Sequence, residues 1–205
     1  MNERLFFAAT ERNRDAIGDV LSTFLPESGF VLEIASGSGE HGVTFQKRFP
    51  NIQWQTSDPE PSYRKSINAW IKHQGLSNKM PKPIDLNAEK RPWPLSLEFQ
   101  ADLKAIVCIN MIHISPWRCT QALFEEAGNL LKKEQVLMLY GPFKFNGKNT
   151  SESNSQFDQS LQAQNSSWGV RDLQVVIQIG MKNGFKKPAV IRMPANNLSV
   201  VFRIK

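Results

Sequence analysis

Apolar residues recur along this chain in two periods. Ile17, Val20, Leu21, Phe24 and Leu25 fall at helical spacing, which predicts an amphipathic helix over about 10–25, closed by Pro26 and Gly29. FVLEIA (30–35) is a short run containing β-branched residues and predicts a buried strand. A helix over about 40–49 follows, then a second strand at IQWQTS (52–57). Pro59 is expected to open the next helix, whose Tyr63, Ile67, Trp70 and Ile71 share a face and which Gly75 ends. Residues 76–100 are proline-rich and weakly patterned, with a short strand around Ile84–Leu86. AIVCIN (105–110) and QVLMLYG (135–141) read as buried strands. Between them Ser115-Pro116 starts a helix carrying Leu123, Ala127, Leu130 and Leu131.

Residues 141–169 turn polar and rich in Asn, Ser and Gln. A structureless stretch of that length is rare in a compact domain, so a helix is expected at 154–164 with Phe157 and Leu161 inward. A further helix over about 170–182 puts Leu173, Val176, Ile177 and Gly180 on one face, with Gly184 closing it. The segments 185–193 and 197–204 read as two strands joined by a Pro-Ala-Asn turn. Strands alternating with helices predict an α/β chain with a mainly parallel sheet, helices on both faces and an antiparallel C-terminal strand. The expected organisation is one domain over 1–205, with 1–28 as an N-terminal cap helix and 141–169 as a polar, lid-like insertion. In such sheets ligands sit at the carboxyl ends of the strands.

Charge and cysteine usage narrow the classes. The formal net charge is +6, and from Arg171 onward seven basic residues face the single Asp172. No dense basic run accompanies this, so a solvated surface is favoured over an anionic partner. Trp54, Trp70, Trp93, Trp117 and Trp168 are not interleaved with basic residues, which argues against a single-strand stacking platform. Cys108 and Cys119 form no CxxC and no His/Cys cluster, so no metal is expected. The start, MNERLFFAATERNRD, has a short apolar stretch and then dense charge, unlike a signal peptide or a membrane span; a cytoplasmic protein is expected.

The chemistry concentrates in VLEIASGSGEHG (31–42). Gly37, Gly39 and Gly42 match GxGxxG between a strand and a helix, where glycines permit a tight turn and close approach to a ligand. Helix amides there favour an anionic group. Asp58, at the end of the second strand, could bind a ribose or cap the following helix. Glu33 lies inside the first strand, and a buried carboxylate needs partners, either loop amides or a ligand ammonium.

The run Glu33-Ile34-Ala35-Ser36-Gly37-Ser38-Gly39 resembles the ExGxGxG motif of class I S-adenosylmethionine (SAM)-dependent methyltransferases, with Ala35 in place of the first glycine. The resemblance implies the seven-stranded Rossmann-like methyltransferase fold and a SAM site. It places Glu33 near the methionine amine, the Ala35–Ser36–Gly37–Gly39 loop along the cofactor, Asp58 on both ribose hydroxyls and Asp85 near the adenine amino group. More broadly, ATERNRD (9–15), WQTSDP (54–59), INMIHISPW (109–117), LYGPFK (139–144), SNSQFDQSLQ (153–162), WGVRD (168–172) and MPANNLSVVF (193–202) together resemble a methyltransferase-like family of unknown function that includes a vertebrate methyltransferase-like protein. That family implies no particular substrate.

Methyl transfer requires alignment, exclusion of water and, for a poor nucleophile, loss of a proton. Methyltransferases of nucleobase amines usually carry an Asn/Asp-Pro-Pro-aromatic run after the fourth strand. Asn110-Met111-Ile112-His113 departs from it, so a small or medium-sized acceptor is favoured over nucleic acid. His113 and Tyr140 are the candidate catalytic residues, His113 as a general base or as a hydrogen-bonded strand-end residue. Asn110 is grouped with the cofactor residues. Arg12, Asn13, Lys144 and Asn196 are candidates for the acceptor pocket, with Lys144 and Lys148 favouring an anionic molecule. Two rivals stay open: a nicotinamide-dependent oxidoreductase, against which Glu33 would speak, and a non-catalytic module docking RNA or protein.

Overall fold

A computed structural model describes residues 3–205. Met1 and Asn2, at the start of the expected cap segment, lie outside the described residues. The chain forms two compact units, the first ending at Val107 and the second beginning at Cys108.

The first unit contains α1 (Ala8–Phe24), β1 (Gly29–Ile34), α2 (Glu40–Arg48), β2 (Ile52–Thr56), α3 (Pro61–His73), α4 (Leu97–Asp102) and most of β3 (Leu103–Ile109), in strand order β2-β1-β3. β1 and β2 run parallel, with Leu32 opposite Gln55 and Glu33 opposite Thr56. The helical face foreseen on α1 is the buried one, through Ile17 and Leu21. Phe45 of α2 packs on Trp54 of β2 with ring centroids 5.1 Å apart, both fully buried. Burying each such ring contributes roughly 1.5–3 kcal/mol.

Three departures from expectation have local causes. α3 starts at Pro61, not Pro59, because the residue before a proline is held extended; Glu60 sits at φ −84°, ψ 120°. The strand expected at Ile84–Leu86 is reduced to a single bridge, Ser57 to Ile84, since Pro81 and Pro83 remove ladder donors just before it. α4, unforeseen, is capped by Ser96, whose side chain accepts the Phe99 N–H.

The second unit holds α5 (Trp117–Leu130), β4 (Val136–Phe145), β5 (Lys148–Asn149), α6 (Glu152–Gln164), β6 (Arg171–Asp172), α7 (Leu173–Lys182), β7 (Ala189–Met193) and β8 (Asn197–Arg203). Its order is β4-β8-β7, with β5 and β6 each paired to β4. The last two long strands are antiparallel, β8 to both β4 and β7, as expected. β7 begins only at Ala189, after Pro188, although Phe185 still bridges Ile204. Phe124, Phe185 and Phe202 form an edge-to-face core cluster with centroids 4.9–5.9 Å apart. Among the described residues there are eight strands where seven were expected; two of them, β5 and β6, have two residues each.

The polar insertion is ordered from its first residues. β4 runs on to Phe145, and Asn146-Gly147, both at positive φ, turn it back into β5 as a two-residue hairpin. Ser151 then caps α6 by accepting the Asn154 N–H. Leu161 is buried as foreseen, whereas Phe157 is 39% exposed and lays its edge against His113.

Candidate cofactor site

The tips of β1 and β2 are stitched together by two serines. The Ser36 N–H donates to the Ser57 carbonyl (2.8 Å), the Ser57 N–H to Ser36 Oγ (3.1 Å), and Ser57 Oγ to the Glu33 carbonyl (2.7 Å). The chain leaves β1 through Ala35 at φ 56°, a left-handed conformation that costs a non-glycine residue about 1 kcal/mol. The first glycine position of the ExGxGxG pattern is therefore a turn that glycine would adopt freely. Gly39, at φ 92°, precedes α2 and lies so close to α3 that a Cβ there would stand 2.8 Å from Ile67 Cα.

Asp58 stands at the end of β2, buried, with Oδ2 accepting the Gly37 N–H (3.0 Å) and Oδ1 the Glu60 N–H (2.9 Å). It does not cap α3. Burial raises its pKa above the ordinary 3.8, against the opposing pull of the two N–H groups and of Arg64. Arg64 donates Nη1 to the Asp58 carbonyl (2.8 Å) and Nη2 to Asp85 Oδ2 (2.9 Å), so the exposed Asp85 is tied to the same strand tip.

Glu33 has a different partner from the two expected. Its Oε2 accepts the indole N–H of Trp54 at 2.9 Å, beneath α2, where a Cβ on Gly42 would come within 2.9 Å of the same oxygen. The carboxyl is 1% exposed. Burial pushes its pKa up to about 7, outweighing the hydrogen bonds from Trp54 and Ser36. The sequence signal missed here was the tryptophan in IQWQT, one of the few buried groups able to donate to a carboxylate.

The segment before α1 lies over this corner. Phe7 donates its N–H to Glu40 Oε2 (2.9 Å), its ring approaches Gly37, and it meets Tyr63 edge-on at 5.8 Å. Neither Phe7 nor Glu40 was singled out from sequence. Asn13 is buried and its Oδ1 bonds His41 Nε2 at 2.8 Å, while Arg12 is exposed on α1. Asn13 is thus occupied inside the first unit, unlike the open pocket role expected for it.

The other candidates belong to the second unit. Asn110, at φ 60°, donates its N–H to the Tyr140 carbonyl (2.9 Å). His113 is 2% exposed and its Nδ1 has no hydrogen-bond partner. It packs against the bare face of Gly141, where a Cβ would come within 2.6 Å of its Cε1. Burial, with the Arg171 charge second, pushes its pKa down to about 3, so the ring is neutral and a poor proton acceptor at neutral pH. That departs from the general-base reading. Arg171, which sequence reasoning left without a role, fixes the His113 loop: Nε donates to the Ile112 carbonyl (2.9 Å), and Nη2 to those of Ser115 (2.6 Å) and Ser167 (2.9 Å). Tyr140 is buried in β4.

Lys144, expected to meet an anionic ligand, instead pairs with Asp158 Oδ2 at 2.6 Å. Asp158 also accepts from the Val170 N–H (2.7 Å), Gln162 and Asn149. Asn196 lines a cavity of about 510 Å³ and its carbonyl accepts from Asn154 Nδ2. Among the described residues no group of three His, Cys, Asp or Glu side chains is placed to hold a metal ion, and no helix is long and apolar enough to cross a membrane.

Comparison with solved structures returns SAM-dependent methyltransferase folds. A putative O-methyltransferase from Nostoc punctiforme superposes with a TM-score of 0.80 at 14% identity, over 95% of this chain and 56% of that one. Human N-acetylserotonin methyltransferase in complex with SAM gives 0.76 at 11% identity, over 96% and 52%. An O-methyltransferase family 2 protein from Planctomyces limnophilus in complex with apigenin gives 0.76 at 13%, over 96% and 60%. The chain thus has the class I methyltransferase fold and spans little more than half the length of these structures. A family model described as a protein of unknown function, DUF938, matches residues 4–204, and the chain belongs to that family.

Proposed function

We propose that the protein binds SAM at the tips of β1 and β2 and transfers its methyl group to a small or medium-sized acceptor. The observation that carries this is Asp58: a buried carboxylate at the end of β2, with each oxygen engaged by one backbone N–H and retaining a lone pair. Such a group suits a vicinal diol, and the left-handed turn at Ala35 and the bare backbone of Gly37 and Gly39 suit close approach of a ligand. The residues present therefore fit the cofactor. Ala35, Ser36, Gly37 and Gly39 would line it, Asp58 would hold its ribose, and Asp85, oriented by Arg64, is the candidate for its adenine amino group. When bound, SAM supplies an electrophilic methyl group on a sulfonium.

Glu33, engaged by Trp54, supports the site by tying β1 to β2. Its partner within the protein also removes it as an argument against a nicotinamide cofactor. The likeness of the fold to methyltransferases now carries that choice. His113, neutral and buried with its Nδ1 enclosed, is given no part in the transfer. The vertebrate methyltransferase-like relationship and a cytoplasmic location remain part of this reading.

The test is incubation with methyl-labelled SAM and a fractionated metabolite pool. Acceptor-dependent release of S-adenosylhomocysteine by the wild type, lost in Asp58→Ala, supports the reading. Stabilisation by NAD with none by SAM refutes it.

A further inference from the structure

We propose that the second unit carries a binding site for an aromatic carboxylate, at the cavity between the end of β4 and the β7–β8 turn. This stands apart from the methyl-transfer reading, since it concerns binding without cofactor. The cavity measures about 510 Å³, within the range that small-molecule sites occupy. Phe145, Met193 and Leu198 supply apolar wall, and Phe145 leaves 41% of its surface uncovered. An aromatic ring and a thioether suit a planar, polarisable body.

Two polar side chains of the lining, Arg192 and Thr150, can donate into the cavity, beside the amides of Asn196 and Asn197. Arg192 lines the cavity and forms no ion pair among the described residues. Two other cations of this unit are committed, Lys144 to Asp158 and Arg171 to three carbonyls. Thr150 Oγ1 accepts from Asn154 Nδ2 at 2.9 Å, which leaves its own proton to be donated outward. A guanidinium fork beside a hydroxyl donor matches the two oxygens of a carboxylate. A single guanidinium beside so much apolar wall suits a monoanion better than a phosphate.

The rim is fixed. Asn154, 6% exposed in the first turn of α6, holds both Thr150 and the Asn196 carbonyl (3.2 Å), so one buried amide sets the spacing between two sides of the cavity. The β7–β8 turn reaches the rim through Ala195 (φ 56°, ψ 39°) and Asn196 (φ 58°), two consecutive left-handed residues without a glycine. Strain of this kind tends to collect where ligands are held.

The experiment is calorimetric titration of the cofactor-free full chain with 2-naphthoate. Acetate supplies the charge without the body, and 2-naphthalenemethanol the body without the charge. The proposal expects 2-naphthoate to bind, both controls to bind at least about tenfold more weakly, and Arg192→Gln to lose at least about tenfold in affinity with an unchanged melting temperature. Thr150→Val should weaken binding to a smaller extent. No heat at millimolar 2-naphthoate, equal affinity in Arg192→Gln, or equal affinity for the neutral alcohol would overturn it. Each of these outcomes is independent of whether SAM binds.

Discussion

Asp58 in the first unit and Asp158 in the second are both buried carboxylates that accept backbone N–H groups, yet their environments pull in opposite directions. For Asp158 burial alone would raise the pKa, but the Lys144 ammonium, the Val170 N–H and the Asn149 amide outweigh it and hold the group below 3.8. For Asp58 two N–H groups and the Arg64 charge do not offset burial, and the pKa stays raised. The saturated carboxylate is structural: it pins α6 to β4 and to the segment leading into β6. The Asp58 carboxylate has one N–H on each oxygen and keeps acceptor capacity, which our proposal gives to a ribose. Glu33 is the limiting case on the same side as Asp58, where the Trp54 indole and Ser36 do not offset burial and the pKa is raised to about 7.

The largest effect that can break this contrast lies in the pH dependence of stability. Glu33 has a raised folded-state pKa, so its contribution is fully present below about 4.5 and is lost as pH rises through about 7. The loss is on the order of 3 kcal/mol by the shift in pKa. Glu33→Gln keeps an acceptor for Trp54 and carries no charge. Urea unfolding should find this variant more stable than wild type at pH 8 and little different at pH 4. Parallel curves for the two proteins would remove Glu33 from the comparison.

Asp158→Asn should act in the reverse sense. At pH 7 it leaves Lys144, only 20% exposed, without its counter-charge, and should cost about 2 kcal/mol. Because the wild-type pKa is lowered, its stabilisation is present above 3.8 and lost as pH falls through the folded-state value, so the two unfolding midpoints should converge in acid. A difference that persists at low pH would mean shape, not charge, is what the residue contributes. The smallest effect is at the β1 tip: Ala35→Gly relieves the left-handed strain but loosens the unfolded chain, and should change stability by no more than about 1 kcal/mol in the stabilising direction. A marked loss in thermal unfolding would show that the Ala35 methyl is packed and needed.

Much of this was legible from residue order. Strands at 30–35, 52–57, 105–110 and 135–141, the helical faces of α1 and α3, and the antiparallel ending follow from period and punctuation alone. So does the placement of Asp58 at the end of the second strand; its bond to the Gly37 amide does not. What was not legible depends on pairings distant in sequence. Nothing near Glu33 announces that Trp54, 21 residues away, will donate to it. Lys144 reads as a free cation until α6 brings Asp158 to it. His113 reads as a titrating imidazole until Phe157, Gly141 and Arg171 enclose it. A readable local signal was also passed over: Asn146-Gly147 is a hairpin turn that divides the polar insertion.

The central claim is that Asp58 holds the ribose of an adenosyl cofactor. The direct measurement is the thermal midpoint with and without saturating S-adenosylhomocysteine, in wild type and in Asp58→Ala. At about 100 times the dissociation constant the wild type should gain roughly 2.7 kcal/mol, or about 5–10 °C for a chain of this size. The variant should keep its unliganded midpoint to within a few degrees and show almost none of that gain. An equal shift in both proteins, or none in the wild type, would contradict the account.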